Sequence, residues 1–220
     1  MAEGRTIAVG DVHGCLTALN VVLEAIDPQP DDTIVMLGDY VDRGPDSRGV
    51  IQRLIDLRGQ CRLIPLLGNH DEMMLAVCCG VTAGYNQWLF WGGDATVASY
   101  GGKLPEGVPP EHVEFLESCR PFYETQTHIF LHANYRPMQP LEDLPTGILR
   151  WESIAEQPPG PHYSGKTAIL GHTSQKNCEI LDLGHLKCID TRCYDNGWLT
   201  ALEVHTGCTW QADKTGQMRE

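Results

Sequence analysis

Three stretches decide the fold: TIAVGDVHG (residues 6–14), TIVMLGDYVDRG (residues 33–44) and RLIPLLGNHD (residues 62–71). Each opens on a short apolar run and closes on a glycine followed by polar residues. Between the first two, Leu16, Leu19, Leu23 and Ile26 fall on one face of a helix predicted over 16–26. After the second, Val50, Ile51, Leu54 and Leu57 make another helical stripe, with Asp46 or Ser47 as its N-cap. A third helix is predicted over 73–79. Short apolar strands alternating with helices predict parallel pairing in a sheet covered by helices. Pro65 inside the third strand predicts an edge position or a bulge. In such a sheet the strand C-termini lie side by side, and ligand sites form there.

Working outward, residues 80–110 are rich in Gly, Trp and Tyr, then Pro, and predict short helices over 85–90 and 94–99. Another helix is predicted over 111–119, after Pro109 and Pro110. The remainder predicts strands over 128–131, 167–170, 179–183, 187–190 and 198–204, forming a second, mixed or antiparallel sheet. Residues 137–161 hold six prolines and predict an ordered surface loop near the site. The whole reads as one domain over 1–220, with about 80–120 as a helical insertion.

Composition narrows the function. Sixteen basic against 29 acidic residues give a net charge of −13, with no basic run. Such a surface repels nucleic-acid backbones, so nucleic acid is excluded as a partner, and phosphate recognition must come from a few placed groups or metal ions. No apolar run reaches 18 residues, which excludes a membrane-spanning helix. The absence of a charged-then-apolar leader places the chain in the cytoplasm. Nine cysteines without a CxxC pair predict neither a zinc cluster nor a disulfide framework. Cys188 and Cys193 read as small buried hydrophobes, and Cys15, directly after the first motif, as a buried residue at a helix start.

The chemistry sits at the strand ends. Asp11, His13, Asp39, Asn69 and His70 should converge, and two later strands end in His132 and His172. Carboxylates, imidazoles and an amide oxygen suit divalent Mn, Fe or Zn without a thiolate. A carboxylate shared by two ions is the pattern of two-metal hydrolytic sites, in which bound water becomes a nucleophile near neutral pH. Arg43 can hold phosphate oxygens through two parallel hydrogen bonds. His70 can protonate the leaving oxygen, with Asp42 to orient it. Taken singly, a strand-end Asp or Asn is more often a turn former, and a lone His more often a satisfied side chain. Taken jointly the odds reverse: a GDxHG pentad alone arises by chance in a chain this long roughly once in a thousand.

The motifs GDVHG, GDYVDRG and GNHD, with His132 in HAN and His172 in GHT, resemble the phosphoprotein phosphatase family of metallophosphoesterases. Trp91-Gly92-Gly93, Thr96 and Ser99-Tyr100-Gly101 are similar to the insertion of its bacterial protein-phosphatase branch. The resemblance implies an α/β fold of two β-sheets in a sandwich flanked by helices. It implies two divalent ions, manganese foremost, one held by Asp11, His13 and Asp39, the other by Asp39, Asn69, His132 and His172. Arg43 and Asn69 would bind substrate phosphate, and His70 with Asp42 would form the acid dyad. Arg150 best matches the family's second phosphate-binding arginine, with Arg136 in reserve. The chain departs from the family in GNHD instead of GNHE, in Ala133-Asn134 after His132, and in Arg192-Cys193-Tyr194 after Thr191, where Arg192 or Tyr194 can reach substrate.

The expected reaction is phosphomonoester hydrolysis by in-line attack of metal-activated water, first on phosphorylated Ser, Thr or Tyr of a protein. The alternative is a symmetric diadenosine tetraphosphatase or another small phosphoesterase, which GNHD favours. A third reading, an inactive binding module, is opposed by the complete set of ligand and acid residues. The oligomeric state is not legible in the sequence.

Overall fold

The structure, a computed structural model, describes residues 4–220. Among the described residues ten strands form two five-stranded sheets. The first sheet holds β1 (Thr6–Val9), β2 (Thr33–Met36), β3 (Arg62–Pro65), β9 (Leu199–Glu203) and β10 (Thr209–Ala212), in the order β10-β9-β1-β2-β3. Strands β1, β2 and β3 pair in parallel, as the alternating pattern predicts, while β9 and β10 are antiparallel additions. The second sheet is mixed, in the order β4-β5-β6-β8-β7, from β4 (Phe122–Glu124), β5 (His128–Leu131), β6 (Thr167–Leu170), β7 (Leu181–Asp182) and β8 (Leu186–Cys188). Its centre, β5-β6-β8, is parallel.

Strand alternation explains the layering. Ala8, Val35, Leu37, Ile64, Phe130 and Ile169 point inward and fill the space between the sheets. Ile7, Val9, Ile34 and Met36 point the other way, onto helices α1 (Leu16–Ile26) and α2 (Ser47–Leu57). On the far side Ile129, Leu131, Ala168 and Leu170 pack with Leu141, Leu144 and Leu149. The result is the two-sheet sandwich flanked by helices that the resemblance implies.

Local rules hold in the parts that carry the site. Asp46 caps α2, its side chain accepting from the Gly49 N–H at 2.7 Å. Pro65 lies on β3, the outermost strand of its sheet, and its carbonyl accepts from the Arg120 N–H. Helix α3 (Asn69–Cys78) starts four residues before the apolar stripe at Met73, so Asn69 and His70 lie in its first turn. Asp71 closes that turn by accepting from the Gly68 N–H at 3.0 Å. The 80–120 stretch holds α4 (Tyr85–Trp88), a π-turn (Leu89–Gly93), α5 (Asp94–Ser99) and α6 (Pro110–Glu117). The expected loop over 137–161 contains a 3₁₀ turn (Leu141–Asp143) and a six-residue helix, α7 (Thr146–Trp151). Among the described residues no helix is long and apolar enough to cross a membrane. Cys15, Cys188 and Cys193 are buried and free.

Candidate metal centre and active site

The strand ends converge as the parallel pattern requires. Asp11 follows β1, Asp39 follows β2, Asn69 and His70 follow β3, and His132 and His172 follow β5 and β6. The site thus straddles the C-terminal edges of both sheets. Five of its residues, His13, Asp39, Asp42, Arg43 and His172, hold positive φ. Each such backbone costs of order 1–3 kcal/mol and persists only where its surroundings determine it. Asp71 is one determinant: its carboxylate accepts from the backbone N–H of Asp39 at 2.7 Å and of Tyr40 at 2.8 Å. The fourth residue of GNHD is therefore a brace between the second and third motifs. Gly68 is another: a Cβ there would lie 2.1 Å from Asp39 Oδ1, so only glycine lets α3 approach the carboxylate.

The donor set fits two cations. His13, Asp39 and His70 offer ligand atoms within 4.8 Å of one another, and so do Asp39, His132 and His172. Asp39 belongs to both groups. Three imidazoles are oriented by backbone carbonyls: His13 Nδ1 on Val41 (2.8 Å), His132 Nδ1 on Leu37 (2.8 Å) and His172 Nε2 on Trp151 (3.0 Å). With one ring nitrogen turned to a carbonyl, the other is directed into the site. His132 Nε2 and His172 Nδ1 each face Asn69 Oδ1 at 3.0 Å, so three atoms able to ligate a cation converge there once His132 gives up its proton.

Electrostatics agree. Burial pushes Asp39 up, but His132, His70 and His13 outweigh it and hold the carboxyl well below the usual carboxylate range. Burial likewise lowers His132, yet Asp39 and Asp11 push it up to about 10. His172 is lowered to about 4, by burial and then by His132. Asp11 lies outside both groups. Its carboxylate accepts from the His172 N–H at 3.0 and 3.2 Å, and burial with nearby Asp190 raises it well above the ordinary range.

The two residues expected to form an acid dyad lie together. His70 Nδ1 lies 2.6 Å from Asp42 Oδ2. Two residues that sequence reasoning did not assign to the dyad hold Asp42: Trp88 Nε1 donates to Oδ2 and Thr96 Oγ1 to Oδ1, both at 2.7 Å. Thr96 also accepts from the Asp42 N–H at 2.9 Å. The Trp-Gly-Gly pattern has a physical reason here. Gly92, at φ +109°, accepts from the Arg43 N–H at 3.0 Å, and a Cβ on it would meet Arg43 Cγ at 2.7 Å. Thr96→Val should leave Asp42 short of a buried partner and cost about 1–3 kcal/mol of stability, with turnover reduced at unchanged metal content; urea unfolding and metal analysis check it.

Arg43 places NH1 2.7 Å from His13 Nε2 and NH2 2.9 Å from His70 Nε2, with its guanidinium 4.5 Å over the Tyr194 ring. Of the two residues in the closing segment, Tyr194 therefore reaches the site, whereas Arg192 pairs with Asp195 at 3.0 Å. Arg150, expected to meet phosphate, is ion-paired with Glu72. Arg136 binds Glu152 through both nitrogens, at 2.6 and 2.7 Å.

Comparisons with known proteins match this geometry. The calcineurin-like phosphoesterase pattern covers residues 4–173. A symmetrical bis(5'-nucleosyl)-tetraphosphatase of Pectobacterium atrosepticum is 44% identical over 78 residues, 35% of this chain and 27% of that protein. The Janthinobacterium enzyme of the same name is 42% identical over 77 residues, 34% of this chain. The match thus spans only about a quarter of these relatives' length. Among solved structures, a provisionally assigned diadenosine tetraphosphatase superposes with a TM-score of 0.73 at 22% identity, covering 96% of this chain and 94% of its own. A cold-active protein-tyrosine phosphatase of Shewanella gives 0.65 at 16%, covering 98% and 80%. At those identities the structural likeness speaks for the fold. The family pattern, spanning three quarters of the chain and all the strand-end motifs, shows that the chain belongs to the calcineurin-like phosphoesterases.

Proposed function

We propose that the chain hydrolyses a small phosphate ester of the dinucleoside tetraphosphate class, with two divalent ions in the donor groups that share Asp39. The observation that carries the reading is the shared carboxylate set beside Arg43 and the His70–Asp42 dyad. Relatives at 42–44% identity support the substrate class by their names. The phosphoprotein reading rests on the Trp-Gly-Gly and Ser-Tyr-Gly insertion and on the short interval between His132 and His172. Within that insertion Gly92 and Thr96 hold Arg43 and Asp42, and so serve chemistry common to both substrates.

In this reading Asp11, His13 and Asp39 hold one ion, and Asp39, Asn69, His132 and His172 the other, with manganese the first choice and iron or zinc compatible with the same donors. When bound, the ions polarise phosphate oxygens and make water acidic enough to attack phosphorus. Arg43 binds the equatorial oxygens and balances their growing charge. Asn69 borders the same phosphate. Asp42 keeps the His70 ring turned so that Nε2 faces the departing oxygen, and His70 delivers its proton there. Arg150, held by Glu72 at the rim, reaches a distal phosphate when that pair opens.

Metal loading should release a proton. With its pKa pushed up to about 10, His132 is protonated at pH 8 in the metal-free protein, and a ligand must give that proton up. Affinity for the second ion should therefore rise with pH toward 10. Calorimetric titration with Mn²⁺ in buffers of different ionisation enthalpy should show about one proton released at pH 8; none would remove His132 from the ligand set.

The function itself is tested by initial rates of manganese-loaded protein on diadenosine tetraphosphate and on phosphopeptides, with His70→Asn as control. A preference for the dinucleotide above about tenfold, or 1.4 kcal/mol, is expected. The reverse preference would restore the protein-phosphatase reading.

A further inference from the structure

Beside the metal centre lies an apolar recess of about 270 Å³ that none of the chemistry above uses. Trp91 and Trp151 form its mouth, with ring centroids 6.2 Å apart and planes at 56°. Tyr85 and Trp88 form the wall behind, and Met73 and Val77 of α3 the floor. Both mouth tryptophans are unusually open to solvent, at 41% and 38%. Large aromatic side chains left exposed as a pair, over a concave apolar floor, mark a ligand surface.

Two hydrogen bonds and two chain connections tie the recess to the site. Trp88 lines it and donates to Asp42, the partner of the acid His70. Met73 lies one helical turn along α3 from Asn69 and His70. Trp91 precedes Gly92, whose carbonyl holds the Arg43 N–H. Trp151 gives its own carbonyl to His172 Nε2. The recess therefore adjoins the site on the side of α3 and His70, the proposed proton donor to the leaving group.

We propose that this recess is a subsite for the nucleobase of the leaving nucleotide. The inference rests on the dinucleotide reading only in supposing that a base departs with the phosphate. Stacking on tryptophan suits every base, because each presents a π-face. The recess, about 270 Å³, has room for a bicyclic ring. No charged side chain lines the recess, so a neutral ring enters it while the phosphates stay with Arg43 and the ions. Gln87 lines it as well, and its amide can both donate and accept at a base edge. Glu72 fixes one side of the mouth by accepting from Trp151 Nε1 at 2.7 Å.

The test compares wild type, Trp91→Ala and Trp91→Phe, each loaded with manganese. Trp91→Ala should raise KM for diadenosine tetraphosphate about tenfold, as loss of one stacking partner implies, with kcat changed less than twofold. Trp91→Phe should recover most of that loss. Inorganic tetraphosphate, which has no base, should show the same KM in all three proteins. In parallel, AMP should quench tryptophan fluorescence of the wild type and do so far more weakly in Trp91→Ala. An unchanged KM for the dinucleotide in Trp91→Ala would overturn the proposal. Quenching by phenyl phosphate equal to that by AMP would overturn it too, by making the recess a general aryl pocket. If the wild type does not hydrolyse the dinucleotide, the proposed function fails and the AMP titration alone decides the subsite: quenching lost in Trp91→Ala upholds it, and absence of quenching in the wild type overturns it.

Discussion

Asp39→Asn is expected to empty both metal positions together and to lower turnover by about 10³-fold or more. The substitution is nearly isosteric, and an asparagine oxygen can still accept from the His70 N–H, now 3.0 Å from Asp39 Oδ1. The backbone at Asp39 stays anchored by Asp71. What disappears is one negative charge lying 3.5 Å from His13 Nε2 and 3.4 Å from His132 Nε2. Because the surrounding imidazoles hold Asp39 far below the ordinary carboxylate range, that charge is present throughout the working pH range, and raising pH cannot restore it in the variant. His132, having lost the stronger of its two anionic neighbours, holds its proton less tightly, which limits the cost to folding. Metal content after gel filtration from excess manganese, read beside a thermal melt, decides the matter. A folded variant that keeps one ion at full occupancy would show that the two positions do not share this carboxylate.

The strand-end motifs were legible because two physical patterns coincide in them. A four- to six-residue apolar run followed by a helical stripe dictates parallel pairing, and parallel pairing brings Asp11, Asp39, Asn69, His132 and His172 to neighbouring sheet edges. Helix α1 emerged with the predicted bounds, because its stripe is long and regular. Three kinds of feature stayed hidden. Helix α7 has six residues, led by Pro145 and carrying Gly147, too few to show a period, yet its last residue orients His172. Strands β4 and β10 are short, and β4 has no fully buried position to set an alternation. The supports of Asp42 come from Trp88 and Thr96, 46 and 54 positions along the chain, and no local rule couples residues so far apart. Asp71 is a different case. GNHD favours the tetraphosphatase reading, and the relatives carry that name, while the role of the side chain, spent on three backbone N–H groups, was not legible.

His70→Asn should reduce turnover about 10²–10⁴-fold on esters with poor leaving groups, and hardly at all on p-nitrophenyl phosphate, whose leaving group departs without a proton. Asp42 is buried and fixed by Trp88 and Thr96, so that the line from its Oδ2 through Nδ1 sets the direction of His70 Nε2. Burial pushes the Asp42 carboxyl up, while His70, Thr96 and Trp88 pull it back. The asparagine variant keeps the backbone N–H that binds Asp39, so α3 and the carboxylate should stay in place. The geometry also leaves a second reading open, because His70 lies with His13 and Asp39 in one ligand-sized group, while Asp11 is turned to the His172 N–H. Were His70 a metal ligand instead of the acid, the variant would lose one ion, and its rate would fall equally for good and poor leaving groups. Rates across a series of aryl and alkyl phosphates, with metal content measured on the same samples, separate the two: a steeper dependence on leaving-group pKa at full metal occupancy assigns the proton to His70, and a uniform loss with one ion missing assigns the imidazole to the metal.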